Sequence, residues 1–458
     1  MTLWNYHASR RATSLADLPN ELLIMIFHQI STDDMVAVAC LCRRLNEVMF
    51  SYHFHTSKKL LGDYVQFGNI GRPFSSLRHL RLCFVNKPHI TSMTFRFSTS
   101  FEKEMKEVDR YLASISHVPA LHIDFRSLSF APLPGVKQCQ LDILLSFKDF
   151  CETLSKLKCR TLTTSAYASS LKLLEDPIFK PPPLTTLRTI TLYAQPKHFM
   201  DWLIDSMNHS NVRSLTVMFN GSDILPRLTL PRLTNLLCRG PNTSLVAVSA
   251  FISRHPTLQS LHLLGGTSPM NKSLLQDRIR LFPCITSISA SVDTLATLLE
   301  FPQAFPILQD ICMQGSITAN DTNIRLVQDT FTLISRIPTI TAIKLPLTNL
   351  ASKGRDSFDY HVVNATRLTS DEEFAVRAES LLTSITKLTA SAVEGHTYGV
   401  QFFQAVARFP SVCELHVSDV RLRTISAQAK FIKRLRPCCP SLKKVFINLV
   451  EYRLDEFA

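Results

Sequence analysis

The chain has 458 residues, which is long for one globular core, so a small domain joined to an extended one is expected. Hydrophobic residues make up 45%, which excludes global disorder, and the count of 12 glycines excludes a glycine-rich β-solenoid or linker. The formal net charge of +13 invites polyanion binding. The basic residues nevertheless fall in short groups such as Arg10-Arg11, Arg43-Arg44, Lys58-Lys59, Lys433-Arg434 with Arg436, and Lys443-Lys444. No long basic arm or aromatic-interleaved basic block accompanies them, so nucleic-acid association is kept as an alternative only.

Residues 1–14 read as a disordered lead without the apolar stretch of a secretory signal. No window has the uninterrupted apolar length of a membrane span. The 12 cysteines are scattered, and Cys83, Cys238, Cys284, Cys312 and Cys413 sit inside apolar runs. Buried reduced thiols are expected there. Cys40 and Cys42 are too close for an ordinary tetrahedral site, and no paired C-x-x-C follows. The chain is therefore expected to hold no metal or cofactor and to reside in the cytoplasm, the nucleus or both.

Residues 15–60 form a helical module. Leu22, Leu23, Ile24, Met25, Ile26, Phe27 and Ile30 make a first helix apolar nearly all round, which needs cover on more than one side. Pro19 suits its first turn. Met35 to Leu41 repeat the pattern, with Ser31 and Thr32 ahead of Asp33-Asp34 as caps. A last helix is expected over Glu47–His55. The greasy surface is either core of a larger body or a face for another protein.

The order Leu18-Pro19-x-Glu21-Leu22-Leu23-x-x-Ile26-Phe27-x-x-Ile30, then Asp34-Met35 and Leu41-Cys42-Arg43-Arg44-Leu45, resembles the F-box. Met35 stands where Leu is usual, and Leu45 where Trp is common. The resemblance covers about one tenth of the chain. It implies that Leu18, Pro19, Leu22, Leu23, Ile26, Phe27, Ile30, Met35, Val38, Cys42 and Leu45 either meet a Skp-type adaptor or fill the module's own core. The residues alone do not sort one set from the other.

Residues 61–75, with Gly62, Gly68, Gly71 and Pro73, read as a linker. From 76 to 458 a second theme repeats: apolar-x-x-apolar-x-apolar. Clear copies are Leu77–Leu82, Leu187–Leu192, Val212–Val217, Leu258–Leu263, Val412–Val417 and Leu442–Ile447. Weaker ones centre near Leu121, Leu162, Leu236, Ile288, Ile311, Ile343 and Leu388. Pro256, Pro306, Pro338, Pro410 and Pro440 precede several of them, pre-setting an extended approach. Central positions follow at 25, 21, 25 and 27 residues from Ile190 through Leu215, Leu236 and Leu261 to Ile288.

Helical patterns lie between: His198–Asn208, Leu245–Arg254, Ser273–Leu281, Asp293–Leu299, Asn323–Ile337, Glu372–Ile385, Tyr398–Phe409 and Ser426–Leu435. Such alternation predicts an α/β fold with a parallel sheet, stacked as a solenoid. Its least regular parts are expected at 84–165 and 345–383, the second as an insertion loop. An open doubly wound α/β domain is the rival. The strand motif resembles a degenerate leucine-rich repeat, which implies a small all-α F-box module followed by a horseshoe. In a horseshoe Arg81, His122, Thr191, Thr216, His262, His416 and Phe446 line one concave face and become candidates for target binding.

No glycine-rich phosphate loop, G-x-S-x-G elbow or H-E-x-x-H occurs. Gly265-Gly266 reads as a turn and Asp371-Glu372-Glu373 as a helix start. No catalytic residue is assigned, and no enzyme activity is expected. F-box proteins with leucine-rich repeats, fungal-like ones among them, are substrate receptors of SCF-type ubiquitin ligases. The resemblance thus implies a Skp-type adaptor, through it a cullin and a RING subunit, and a protein target. The alternative is a repeat scaffold that acts without a ligase.

Overall fold

The structure is a computed structural model. It describes residues 14–31, 34, 37–38, 41–56, 64–67, 91–97, 101–113, 115, 117–125, 137–165, 181–193, 197–219, 221–240, 244–265, 282–314, 321–347, 382–392, 406, 409–418, 422, 424–437 and 439–454. The chain divides into two units, Met1–Ser210 and Asn211–Ala458.

The first unit opens with a short 3-10 turn, Leu15–Asp17, then α1 (Asn20–Gln29) and α2 (Arg43–Thr56). Ser14 and Asp17 form a reciprocal cap on the opening turn. Pro19 lies one residue before α1, where its carbonyl accepts from Leu22 and Leu23 N–H. Ser31 and Asp34 cap the next segment, in which Asp34, Ala37 and Val38 are helical. Leu23, Phe27, Leu45, Val48 and Met49 form this module's core, with Leu15, Leu18, Ile24, Ile30, Val38 and Cys42 packed around it.

Among the described residues five strands follow: β1 (Tyr64–Phe67), β2 (Ser92–Arg96), β3 (Ala120–Asp124), β4 (Thr161–Ser165) and β5 (Thr189–Leu192). They pair in chain order and all in parallel. α3 (Phe101–Leu112) and α4 (Lys137–Lys156) connect β2 to β3 and β3 to β4, and α5 (Lys197–Asn208) follows β5. Two sequence expectations change here. The stretch read as a linker contains β1. The described parts of 84–165, expected to be irregular, are regular strand and helix: β2, α3, β3, α4 and β4. The 20-residue α4 lengthens the spacing without altering the plan.

Along these strands burial alternates. Met93, Leu121, Leu162 and Ile190 are register partners and all are buried, as are Phe95, Ile123 and Leu192 one row on. Phe97 stacks on Phe125 at 5.4 Å, Phe125 meets Phe147 and Phe199 edge-on, and Phe199 stacks on Trp202. This aromatic column fastens the strand ends to α4 and α5.

The second unit carries β6 (Ser214–Val217), β7 (Asn235–Cys238), β8 (Ser260–Leu263), β9 (Ser287–Ser291) and β10 (Asp310–Gln314). It continues through β11 (Ala342–Leu347), β12 (Lys387–Ala392), β13 (Glu414–Ser418), β14 (Lys444–Ile447) and β15 (Val450–Arg453). Pairing again follows chain order. That order differs from the reversal expected of a doubly wound sheet. The all-parallel expectation fails at the end, because β15 folds back antiparallel on β14. Asn448 and Leu449 make the hairpin turn with φ of 51° and 72°, a conformation that matches the twist of the two strands.

Helices fully among the described residues are α6 (Leu245–Arg254), α7 (Val292–Leu299), α8 (Asp321–Ser335) and α9 (Ile425–Leu435), close to expectation. The expected Ser273–Leu281 helix and the Asp371–Glu373 group lie outside the described residues; of the expected insertion loop at 345–383, residues 345–347 complete β11 and 348–381 lie outside the described residues. Of the expected Tyr398–Phe409 helix only Val406, which is helical, and Phe409 are described. Leu382–Ile385 is a turn rather than a helix end.

That turn belongs to a recurring device. Ahead of β7 through β14 the chain makes eight β-turns in which the N–H of a buried residue bonds the carbonyl three residues back. The pairs are Leu230/Leu233, His255/Leu258, Phe282/Ile285, Phe305/Leu308, Ile337/Ile340, Leu382/Ile385, Phe409/Val412 and Cys439/Leu442. Proline fills the second position in every turn but the Leu382 one, supplying the fixed φ that position wants. The next residue then donates to its counterpart in the preceding repeat: Thr234 to Arg213, Gln259 to Thr234, Thr286 to Gln259, Gln309 to Thr286 and so on to Lys443. Each strand thus starts from a backbone bond to the strand before it.

Candidate functional site

The helical module sorts the residues that the sequence left mixed. Leu23, Phe27 and Leu45 are core. Leu18, Ile26, Ile30, Val38 and Cys42 are half-buried, and Pro19 is exposed. Leu22 is 45% exposed, and two residues missing from the expected set are more so, Met25 at 64% and Leu41 at 71%. Met35 lies outside the described residues. Met25 and Ile26 lie three and four residues after Leu22, on the flank of α1 turned away from Leu23 and Phe27. The Leu22/Met25 spacing is visible in the sequence, but an all-round apolar helix hides which side is covered.

A single arginine organises the approach to this flank. Arg44 of α2 donates to the carbonyls of Ala16 and Leu18 and reaches Asn20 Oδ1 at 3.5 Å. It thereby fixes the chain leading into α1, satisfying carbonyls that no helix uses. Arg43 pairs with Glu47 at 2.9 Å one turn on, an exposed pair worth little to stability.

The expected sheet-face residues occupy one register row in each unit. In the first, Thr94, His122, Thr163 and Thr191 are partners. In the second the row runs Thr216, Leu237, His262, Ser289, Cys312, Lys344, Thr389, His416, Phe446 and Glu451. His122, Thr191, Thr216, His262, His416 and Phe446 are each half-buried between two buried rows. Arg81 lies outside the described residues.

The structure brings together only some of this set. His416 stacks on Phe446 at 4.3 Å and hydrogen-bonds Glu414, which also binds Lys387 Nζ at 2.7 Å. Burial alone would raise the Glu414 pKa, but the bonds from His416 and Lys387 outweigh it and hold it below the usual value. His262 bonds Ser260 at 2.8 Å, and burial pushes its pKa down, favouring the neutral ring. His122 bonds Ser165 Oγ at 2.9 Å, but Ser165 is 1% exposed, which keeps its hydroxyl from a bulk substrate.

Among the described residues no group of three or more His, Cys, Asp or Glu is placed to hold a metal. Cys238 is buried, its thiol pushed up to about 12 by desolvation, whereas Cys284, Cys312 and Cys413 are half-buried. Cys83 lies outside the described residues. No helix among the described residues is long and apolar enough to cross a membrane.

The family model described as F-box-like matches residues 15–56. Those are the residues that carry the Arg44 clamp and the Leu22/Met25 flank. F-box domains in general bind Skp-type adaptors. No curated protein matches the chain. The chain thus carries an F-box-like domain followed by α/β units with long parallel runs of strand.

Proposed function

We propose that the chain is the substrate-recognition subunit of an SCF-type ubiquitin ligase. The observation that carries this reading is the F-box-like match at 15–56, with Leu22, Met25 and Leu41 left outside that module's own core. Each such side chain, once covered by an adaptor, contributes about 1.5–3 kcal/mol before association costs. The adaptor brings a cullin and a RING subunit. The strand–helix repeats then act as degenerate leucine-rich repeats in a horseshoe, and the row holding His262, His416 and Phe446 faces the target.

The chain itself breaks no bond in this scheme. It raises the local concentration of target lysines near the charged conjugating enzyme, in the cytoplasm or nucleus. Support comes from the in-order parallel pairing and from the two buried rows that the L-x-x-L-x-L pattern supplies.

The test is co-purification of the full chain with adaptor and cullin, compared with a Leu22→Asp, Met25→Asp variant. Wild-type capture of both partners and loss in the variant support the proposal. Adaptor without cullin favours a scaffold outside the ligase. Undiminished capture by the variant removes this flank as the docking site.

A further inference from the structure

The last repeat of the second unit concentrates positive charge. Between Asp419 and Glu451 the chain has eight Lys or Arg residues and no Asp or Glu. α9 buries Gln428, Phe431, Ile432 and Leu435 and turns Lys430, Lys433 and Arg434 to solvent. Arg436, Lys443 and Lys444, just beyond it, are exposed as well. Lys444 reaches Glu451 at 3.4 Å. Among the described residues no carboxylate lies within ion-pair distance of Lys430, Lys433 or Lys443.

Like charges three and four apart on a helix repel, so this face weakens its own helix. An anionic partner relieves that repulsion. Nucleic acid is the less suitable polyanion. Single strands use exposed aromatic platforms, and grooves are read by amides and arginines at the surface. Here Phe431 is buried, Phe446 lies against His416, and the Tyr452 hydroxyl donates to Gln428 Oε1 at 2.7 Å. Gln428, the one amide side chain on α9, is buried and donates to the Leu422 carbonyl. Arg434 and Arg436 face outward too but are already engaged, which leaves three lysines, point charges without a preferred plane and suited to flexible carboxylates.

We infer that the outer face of α9, together with Lys443, docks an acidic polypeptide segment rich in Asp and Glu. Only the naming of that segment's owner as the ligase target rests on the function proposed above.

The test measures fluorescence anisotropy of a labelled Glu-rich peptide, its Gln-for-Glu counterpart and a single-stranded oligonucleotide against the full chain. The Glu-rich peptide is expected to bind with an affinity that falls as salt rises. Lys430→Glu, Lys433→Glu, Lys443→Glu is expected to weaken it about tenfold, and the matching triple Gln variant less. All three lysines are on the surface, so thermal melting and adaptor capture are expected to match wild type. Charge-dependent peptide binding without adaptor capture keeps this inference and removes the ligase reading. Equal binding of the two peptides, unchanged binding by both triple variants, or tighter binding of the oligonucleotide overturns it.

Discussion

The Leu230 N–H donates to Nε2 of His255, 25 residues further on, at 2.9 Å. The opposite ring nitrogen lies 2.7 Å from the Phe251 carbonyl, and the ring stacks on Phe251 at 3.9 Å. This geometry requires a neutral imidazole with its proton on Nδ1. Burial pushes the His255 pKa below its ordinary 6.5. The folded state therefore binds fewer protons than the unfolded one. The contribution is complete above pH 6.5 and is lost as pH falls below that value towards the folded pKa. His255→Phe, matching the residue at Phe282 and Phe305, is expected to flatten this slope. It also leaves the Leu230 N–H unpaired, at a cost of about 1–3 kcal/mol. Chemical denaturation across pH 5 to 8 on wild type and variant checks both effects.

The helical module separates stability from docking. Phe27→Ala removes a fully buried ring and is expected to cost about 3–5 kcal/mol of module stability. Leu22→Asp with Met25→Asp alters exposed positions and is expected to leave melting within about 1 kcal/mol of wild type. Parallel thermal melts and adaptor pull-downs distinguish them. Equal loss of stability in both variants contradicts this assignment.

Gly265 follows β8 with a φ of 136°, and a Cβ built there lies 2.7 Å from the Gly240 carbonyl oxygen. Both the conformation and the close approach require glycine at this strand end. Gly265→Ala is expected to cost at least about 1–3 kcal/mol, because the obstacle is backbone. Gly221→Ala meets side chains, Val217 at 3.1 Å and Leu225 at 3.7 Å, and is expected to be milder. Urea midpoints of the two variants provide the comparison.

Leu449 occupies the β14–β15 turn at φ 72° and is 93% exposed. An L-residue with a branched apolar side chain is poorly suited to that region, and no packing compensates for it. Leu449→Gly is expected to raise stability by about 1 kcal/mol, read as a higher melting temperature. A lower one indicates that the Leu449 side chain is covered in the folded protein, contrary to its exposure.

Much of this architecture is legible in the sequence because the strand motif places two apolar residues on the same buried side. Even the weak copies at Leu121, Leu162, Ile311 and Leu388 centre on observed strands. What was obscure has physical reasons. β2, Ser92–Arg96, carries the same spacing as Ile90-x-x-Met93-x-Phe95, but Met and Phe stand where the clear copies have Leu, Ile or Val. β1 lies among glycines that usually signal a turn. The β15 hairpin is hard to read because Asn448-Leu449 lacks the glycine that announces such turns. In the helical module, family order identifies the right segment, yet it leaves out Met25 and Leu41 and does not separate buried Phe27 from the exposed positions. Apolarity marks what avoids water, whereas docking depends on what folding leaves uncovered.

The turns ahead of β7 to β14 have one more consequence. Each resets the alignment by bonding back to its predecessor, however much chain has passed since. The span between equivalent row positions runs from 21 residues, Thr216 to Leu237, up to 45, Lys344 to Thr389, with no slip in pairing. The joint is indifferent to length, so segments between strands are free to grow, shrink or be exchanged by mutation while the ladder stays in step.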